Sequence, residues 1–263
     1  FVTSTDPSVL TFARNIASSV SGAGSTTINE NLAKAMAIHE ALNLYKVVYM
    51  ADPRTPYKEL VRRRSEVDFL QFPRETLAYK AGDCDDLAIL YCALLESLAV
   101  ETAFVTVPGH IFMAVSLGMT PGEARRKFKY VDEMIFDGDQ TWVPVEATSR
   151  DDFMSAWQLG AKQWREHKAR NQAGLHPVRE AWKTYEQVNL PRDSAPPPAT
   201  PAAEALLDRF KDVQIKFLDR EMAEELAKRS KLVADTKEDP KALNALGVLY
   251  AQYGRYAEAK VHF

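Results

Sequence analysis

Apolar residues recur at helical spacing three times in the first hundred positions. Leu10, Ala13, Ile16, Ala17 and Val20 follow Asp6-Pro7, a helix start with proline at the first helical position. Ser21-Gly22-Ala23-Gly24-Ser25 breaks that stripe. A longer stripe, Ile28, Leu32, Ala35, Ile38, Leu42, Tyr45 and Tyr49, follows a Thr27/Glu30 capping box and is expected to end near Asp52-Pro53. The third, Leu87, Leu90, Tyr91, Leu94, Leu95 and Leu98, starts directly after Ala81-Gly82-Asp83-Cys84-Asp85-Asp86. Its spacing predicts a helix with one buried face, Asp83 as N-cap and Cys84 in the first turn.

Beyond Val100 the period shortens. Val100 to Val107 is β-rich, Pro108-Gly109 is a turn, and His110 to Leu117 reads as a second strand. Pro121 to Lys129 predicts a short basic helix. Tyr130 to Phe136 and Thr141 to Ala147 predict two more strands around an Asp137-Gly138-Asp139 hairpin turn. A helical half followed by an antiparallel sheet is an α+β arrangement. After Asp151 the chain turns helical again. Phe153, Trp157, Leu159, Trp164, Trp182 and Tyr185 are expected to close the core.

The pattern then divides the chain. Residues 1–190 form one unit with a core over 26–150, residues 191–202 a proline-rich linker, and residues 203–263 a helical segment. The charged helix from Ala203 to Ala234 alternates in sign, which suits a solvated face or a spacer. Over residues 240–263, Leu243, Leu246, Gly247, Tyr250, Gly254, Tyr256, Ala259 and Phe263 fall at positions of a tetratricopeptide repeat. One repeat cannot bury its own apolar face. The natural protein is therefore expected to continue as an array that holds a protein partner. The lack of an initiator methionine or signal-peptide pattern at Phe1 fits a piece of something longer.

Composition narrows the function classes. The chain has 263 residues, 46% of them hydrophobic and 26% charged, as in an ordinary globular protein. A net charge of −3 with no basic stripe argues against a nucleic-acid binder. The Arg62-Arg63-Arg64 run reads as a solvated helix face. No apolar run reaches the roughly 18 residues of a membrane span. Cys84 and Cys92, eight positions apart on one helix, stand about 12 Å apart, too far for a disulfide.

Three groups make a chemical constellation. Cys84 sits at a helix start, where free N–H groups and the dipole favour a thiolate. His110 opens one strand and Glu146 closes another. Cysteine, histidine and acid in that layout suit nucleophilic catalysis: thiol attack, imidazole proton transfer, and a carboxylate that holds the imidazole tautomer. Asp85 and Asp86 would raise the thiol pKa if they faced the sulfur, so they are expected to point away, Asp86 toward the lead-in loop. The lead-in, Gln71 to Lys80, offers Tyr79 or Gln71 as an oxyanion donor beside the Cys84 N–H. His39 is expected to be structural or solvent-facing.

These motifs resemble those of the transglutaminase-like superfamily: Gly82-Asp83-Cys84-Asp85-Asp86-Leu87-Ala88-Ile89-Leu90, Gly109-His110-Ile111-Phe112 and Trp142-Val143-Pro144-Val145-Glu146-Ala147-Thr148. The resemblance covers about residues 26–150. It implies a papain-like fold and a thiol peptidase, amidase or transglutaminase acting on protein or peptide amide bonds through a Cys84 thioester. The family usually carries aspartate where this chain has Glu146. A bacterial cell envelope or periplasm is implied by the resemblance alone, and the sequence leaves the cytoplasm open. No cofactor is expected. Calcium at Asp83, Asp85 and Asp86 is an alternative, without EF-hand spacing, and Cys and His are too sparse for a zinc set. The rival reading is a catalytically silent peptide-binding module on the same fold.

Overall fold

The structure is a computed structural model that describes residues 1–51, 69–188, 190–191, 197–237 and 239–263. Arg62-Arg63-Arg64, the Asp52-Pro53 helix end and part of the proline-rich linker lie outside the described residues. The fold is mixed, with a curled antiparallel sheet and a C-terminal helical segment.

Helix α1 (Pro7–Ser19) starts where Asp6 accepts the Ser8 N–H at 2.9 Å. Helix α2 (Glu30–Tyr45) is capped by Asn29, whose Oδ1 accepts the Leu32 N–H at 3.0 Å. The cap is thus Asn29 and not the Thr27/Glu30 box. The helix also stops earlier than its stripe suggested. Lys46 takes a left-handed conformation, φ +62°, and the chain leaves as strand β1 (Val48–Tyr49). Helix α3 (Pro73–Tyr79) leads into strand β2 (Ala81–Gly82), which pairs in parallel with β1, Tyr49 opposite Gly82. Backbone pairing with a distant segment outbid the helical stripe here.

Helix α4 (Cys84–Glu96) is buried on all sides rather than on one face. It runs between α1, α2 and α3 and the sheet, so apolar residues all round its axis are what the position requires. The sheet is ordered β5-β6-β4-β3-β7, with β3 (Thr102–Val107), β4 (His110–Ser116), β5 (Ile135–Asp137), β6 (Gln140–Val145) and β7 (Gly174–Pro177), every pair antiparallel. Met113, Val115, Val143 and Val145 join the core around α4, while Ala103, Val105, Phe112, Ala114 and Trp142 form a second cluster. The β5–β6 hairpin turns at Gly138, φ +53°, as its sequence predicts. Val131–Glu133 is a 3₁₀ turn, so the third strand is shorter than expected. Strand β7 was not anticipated.

Helix α5 (Pro121–Lys127) precedes β5, and helix α6 (Phe153–Lys168) covers β6. Phe153 and Trp157 are core, but Leu159 is largely exposed and Tyr185 is 75% exposed. Trp182 ends the short helix α7 (Val178–Trp182) and is half-buried. Helix α8 (Ala203–Asp235) is not a free spacer: Leu206, Phe210, Val213, Phe217 and Leu218 are buried in the same core as α1, α2 and α4. Arg220 holds Glu133 with two bonds of 2.8 and 2.6 Å, fastening α8 to the 3₁₀ turn. Helices α9 (Pro240–Gln252) and α10 (Tyr256–Val261) form a hairpin around Gly254, φ +71°. Among the described residues, no helix is long and apolar enough to cross a membrane.

Candidate active site

The cysteine turn is built around Asp86. A Cβ on Gly82 would lie 2.6 Å from Asp86 Cβ, so only glycine fits there. Asp86 Oδ1 accepts the Gln71 N–H at 2.7 Å and Oδ2 the Asp83 N–H at 3.3 Å. Asp86 therefore faces the lead-in loop, as the sequence suggested, and locks it to the helix start. Asp83 is the N-cap residue, in extended conformation.

Cys84 is 4% exposed and its sulfur receives the backbone N–H of Ile111, the residue after His110. Its Sγ and one carboxylate oxygen each of Asp83 and Asp85 lie within 4.8 Å of one another. The expectation for Asp85 is corrected here: it faces the sulfur. Burial pushes the Cys84 thiol up to about 12; the Ile111 N–H offsets part of this, and the charges of Asp83 and Asp85 add to it. A helix dipole is worth about 0.3–1 kcal/mol at most sites, less than the ~1.4 kcal/mol of one pKa unit, so desolvation wins. Cys84 is therefore a neutral thiol, not the thiolate that the helix start alone suggested.

The other half of the site is better furnished. His110 and Glu146 lie on neighbouring strands β4 and just past β6, and His110 Nε2 is 2.8 Å from Glu146 Oε2. Glu146 is 1% exposed. Its Oε1 accepts the N–H of Thr148 at 3.0 Å and the Thr148 hydroxyl at 2.6 Å, and its Oε2 also accepts Gln163 Nε2 at 3.0 Å. Its own N–H donates to Ala156 O at 3.0 Å. Burial would raise its pKa, but the bonds from His110 and Thr148 overcome that and hold it below the ordinary value. An ionised carboxylate only accepts, so Nε2 of His110 carries the proton and Nδ1 is the ring's acceptor. Helix α6 reaches Glu146 because Gly160 packs against the backbone: a Cβ there would meet Pro144 C and O at 2.9 Å. Gln163, one turn on, is thereby in range.

The remaining expectations divide. Tyr79 is 66% exposed on the last turn of α3 and enters none of the described contacts of Cys84. Gln71 is tied in by its backbone, and its buried Oε1 has no partner among the described residues. Sequence reasoning missed Tyr49. Tyr49 is 46% exposed at the end of β1, and its phenol pKa is raised by partial burial first and then by the charges of Cys84, Asp83, Asp85 and Glu146, groups of both halves of the site. The signal was the β-prone Val47-Val48-Tyr49, which the helical stripe absorbed. Arg150 lies near Glu146 and adds positive charge, its Nη2 donating to Ala147 O at 3.2 Å. His39 is structural: fully buried, it bonds Asp151 O at 2.8 Å and the Tyr91 hydroxyl at 3.0 Å, and burial drives its pKa down to about 4. Asp83, Cys84 and Asp85 offer three ligand atoms to a metal, fewer than the six to eight oxygens of calcium or the four ligands of structural zinc. No protein-family model, curated protein or solved structure matches this chain.

Proposed function

We propose that this chain is a thiol hydrolase or acyltransferase of transglutaminase-like type, on a papain-like core, acting on amide bonds of proteins or peptides. The observation that carries the reading is the His110–Glu146 pair: a 2.8 Å bond with the acid buried, ionised and held by Thr148 and Gln163, one residue along the strand from the amide that touches the Cys84 sulfur. A surface histidine needs no such support.

In the proposed reaction the Cys84 S–H proton passes to His110 Nδ1 as sulfur bonds to the substrate carbonyl carbon. The high resting pKa of the thiol makes this transfer concerted with attack rather than complete beforehand. Glu146 stabilises the imidazolium through Nε2–H. The Cys84 backbone N–H and the Tyr49 hydroxyl are the candidate donors to the oxyanion. The C–N bond then breaks, the amine leaves with the proton from His110, and a thioester remains on Cys84. Water releases the acid in a hydrolase; a second amine releases a new amide in a transamidase. The α9–α10 hairpin, with Leu246, Gly247 and Ala259 buried at its centre, suits a tetratricopeptide unit that recruits a protein partner.

The rival, a silent peptide-binding module, draws on one specific observation, the protonated and acid-flanked thiol. The two part on one experiment: cleavage of fluorescein-labelled casein and incorporation of a fluorescent primary amine into casein, for the full chain and its Cys84→Ala variant. The enzyme reading expects turnover in one assay that Cys84→Ala reduces to background. Equal rates for the two proteins would sink it.

A further inference from the structure

A cleft of ≈ 360 Å³ opens beside the candidate nucleophile. Its apolar walls come from separate parts of the chain: Phe1 and Val2 at its start, Leu70 before α3, Ile89 on α4, Phe104 on β3, Ile111 on β4 and Trp182 on α7. Two lining residues are direct neighbours of the reacting groups. Ile111 follows His110 and gives its N–H to the Cys84 sulfur. Asp85 follows Cys84, with a carboxylate oxygen within 4.8 Å of that sulfur. The cleft therefore shares with the Cys84 sulfur two of the groups that surround it, Asp85 and Ile111. The volume is near the lower end of small-molecule sites, roughly 300 Å³, which suits one large side chain and not an extended ligand.

We propose, resting on the thiol-enzyme reading, that this cleft is the specificity pocket for the side chain on the residue that supplies the reacting carbonyl. It takes a bulky apolar residue, phenylalanine or leucine, of a polypeptide substrate. A bound thioester puts that residue's Cα next to the carbonyl carbon on sulfur, so its side chain is the one that meets Asp85 and Ile111. Phe104 and Trp182 supply aromatic faces for it. The carboxylates of Asp85 and Glu186, both in its lining, oppose an acidic side chain there.

The test uses the full chain and four N-acetyl aminoacyl vinyl sulfones bearing Phe, Leu, Ala or Asp, with iodoacetamide as a thiol reagent that needs no pocket. Labelling of Cys84 is followed by intact mass and peptide mapping. The expected result is that the Phe and Leu reagents label Cys84 at least about tenfold faster than the Ala and Asp reagents. That preference should fall to within about twofold in Trp182→Ala, and also in Ala181→Phe, where a ring added at an exposed lining position fills the cleft. Each rate is divided by the same protein's iodoacetamide rate, and circular dichroism checks folding. Iodoacetamide labelling with equal rates for all four reagents overturns the pocket and leaves the thiol chemistry standing. A preference for Phe that persists in both variants places the selectivity elsewhere and overturns it too. Folded protein that no reagent labels at Cys84 overturns the thiol-enzyme reading, and the pocket with it.

Discussion

The two halves of the candidate site are unequal. On the sheet side, Glu146 is buried and satisfied, with Thr148, Gln163 and His110 all donating to it, and it is ionised in spite of its burial. On the helix side, Cys84 is buried against two carboxylates and has one amide, that of Ile111, in its favour beyond its own. The imidazole is held in a fixed orientation by an ionised partner; the thiol has no such support for its charged form. The difference teaches that a helix start does not by itself make a thiolate. The dipole's fraction of a kcal/mol is smaller than the cost of desolvating charged sulfur beside like charges. In the proposed mechanism, activation of this thiol comes at the moment of reaction, through His110.

The largest way to break the comparison is to remove the imidazole that the proposed mechanism uses as its base. His110→Ala is expected to lower turnover by about a thousandfold or more, and Glu146→Ala by about a hundredfold, measured as kcat at constant pH. Glu146→Gln keeps an acceptor for Nε2 and should lose less. If Glu146→Ala and Glu146→Gln were equally active as wild type, the support around Glu146 would be structural only.

The next effect belongs to the helix side. Asp85→Asn removes one of the charges that raise the Cys84 thiol, so its iodoacetamide rate at pH 8 should rise by about tenfold. Cys92→Ser serves as background. Unmodified protein should show a labelling rate still climbing with pH well above the roughly 8.5 of a free cysteine. A plateau near neutral pH would mean that the thiol is already ionised and the halves are not unequal.

Smaller still is a stability effect that pits Glu146 against His39. Glu146 titrates lower folded than unfolded, so it adds stability above its unfolded pKa that is lost as pH falls through its folded one. His39, at about 4 when folded against roughly 6.5 unfolded, favours the folded state above 6.5 and loses this contribution as pH falls from there to 4. The His39 window is worth on the order of 3 kcal/mol, so urea midpoints should fall mainly between pH 6.5 and 4. His39→Gln should flatten that stretch, and Glu146→Gln should alter only the more acid end.

Much of the local layout of the candidate site was legible along the chain because it rests on local signals. The Gly82-Asp83-Cys84 turn into an apolar helix, the Pro108-Gly109 turn before His110, and the Gly138 hairpin are written within a few residues each. The strand order was not. β7 pairs with β3 across seventy positions, and β1 with β2 across thirty, with no local periodicity to announce either. Tyr49 went unread for that reason: its place is set by a backbone bridge to Gly82, not by its neighbours in the chain.

What the sequence by itself determined is which groups are present and where the chain turns to present them: a thiol at a helix start, an imidazole at a strand start and a carboxylate at a strand end. Local propensity and capping suffice for that. Only the tertiary structure decided their states. Burial from every side made Cys84 a neutral thiol, donors from Thr148, His110 and Gln163 kept Glu146 a carboxylate, and segments distant in the chain met to leave an apolar cleft. Protonation depends on solvent exclusion and on charges within a few ångströms, and those distances come from packing rather than from spacing along the chain.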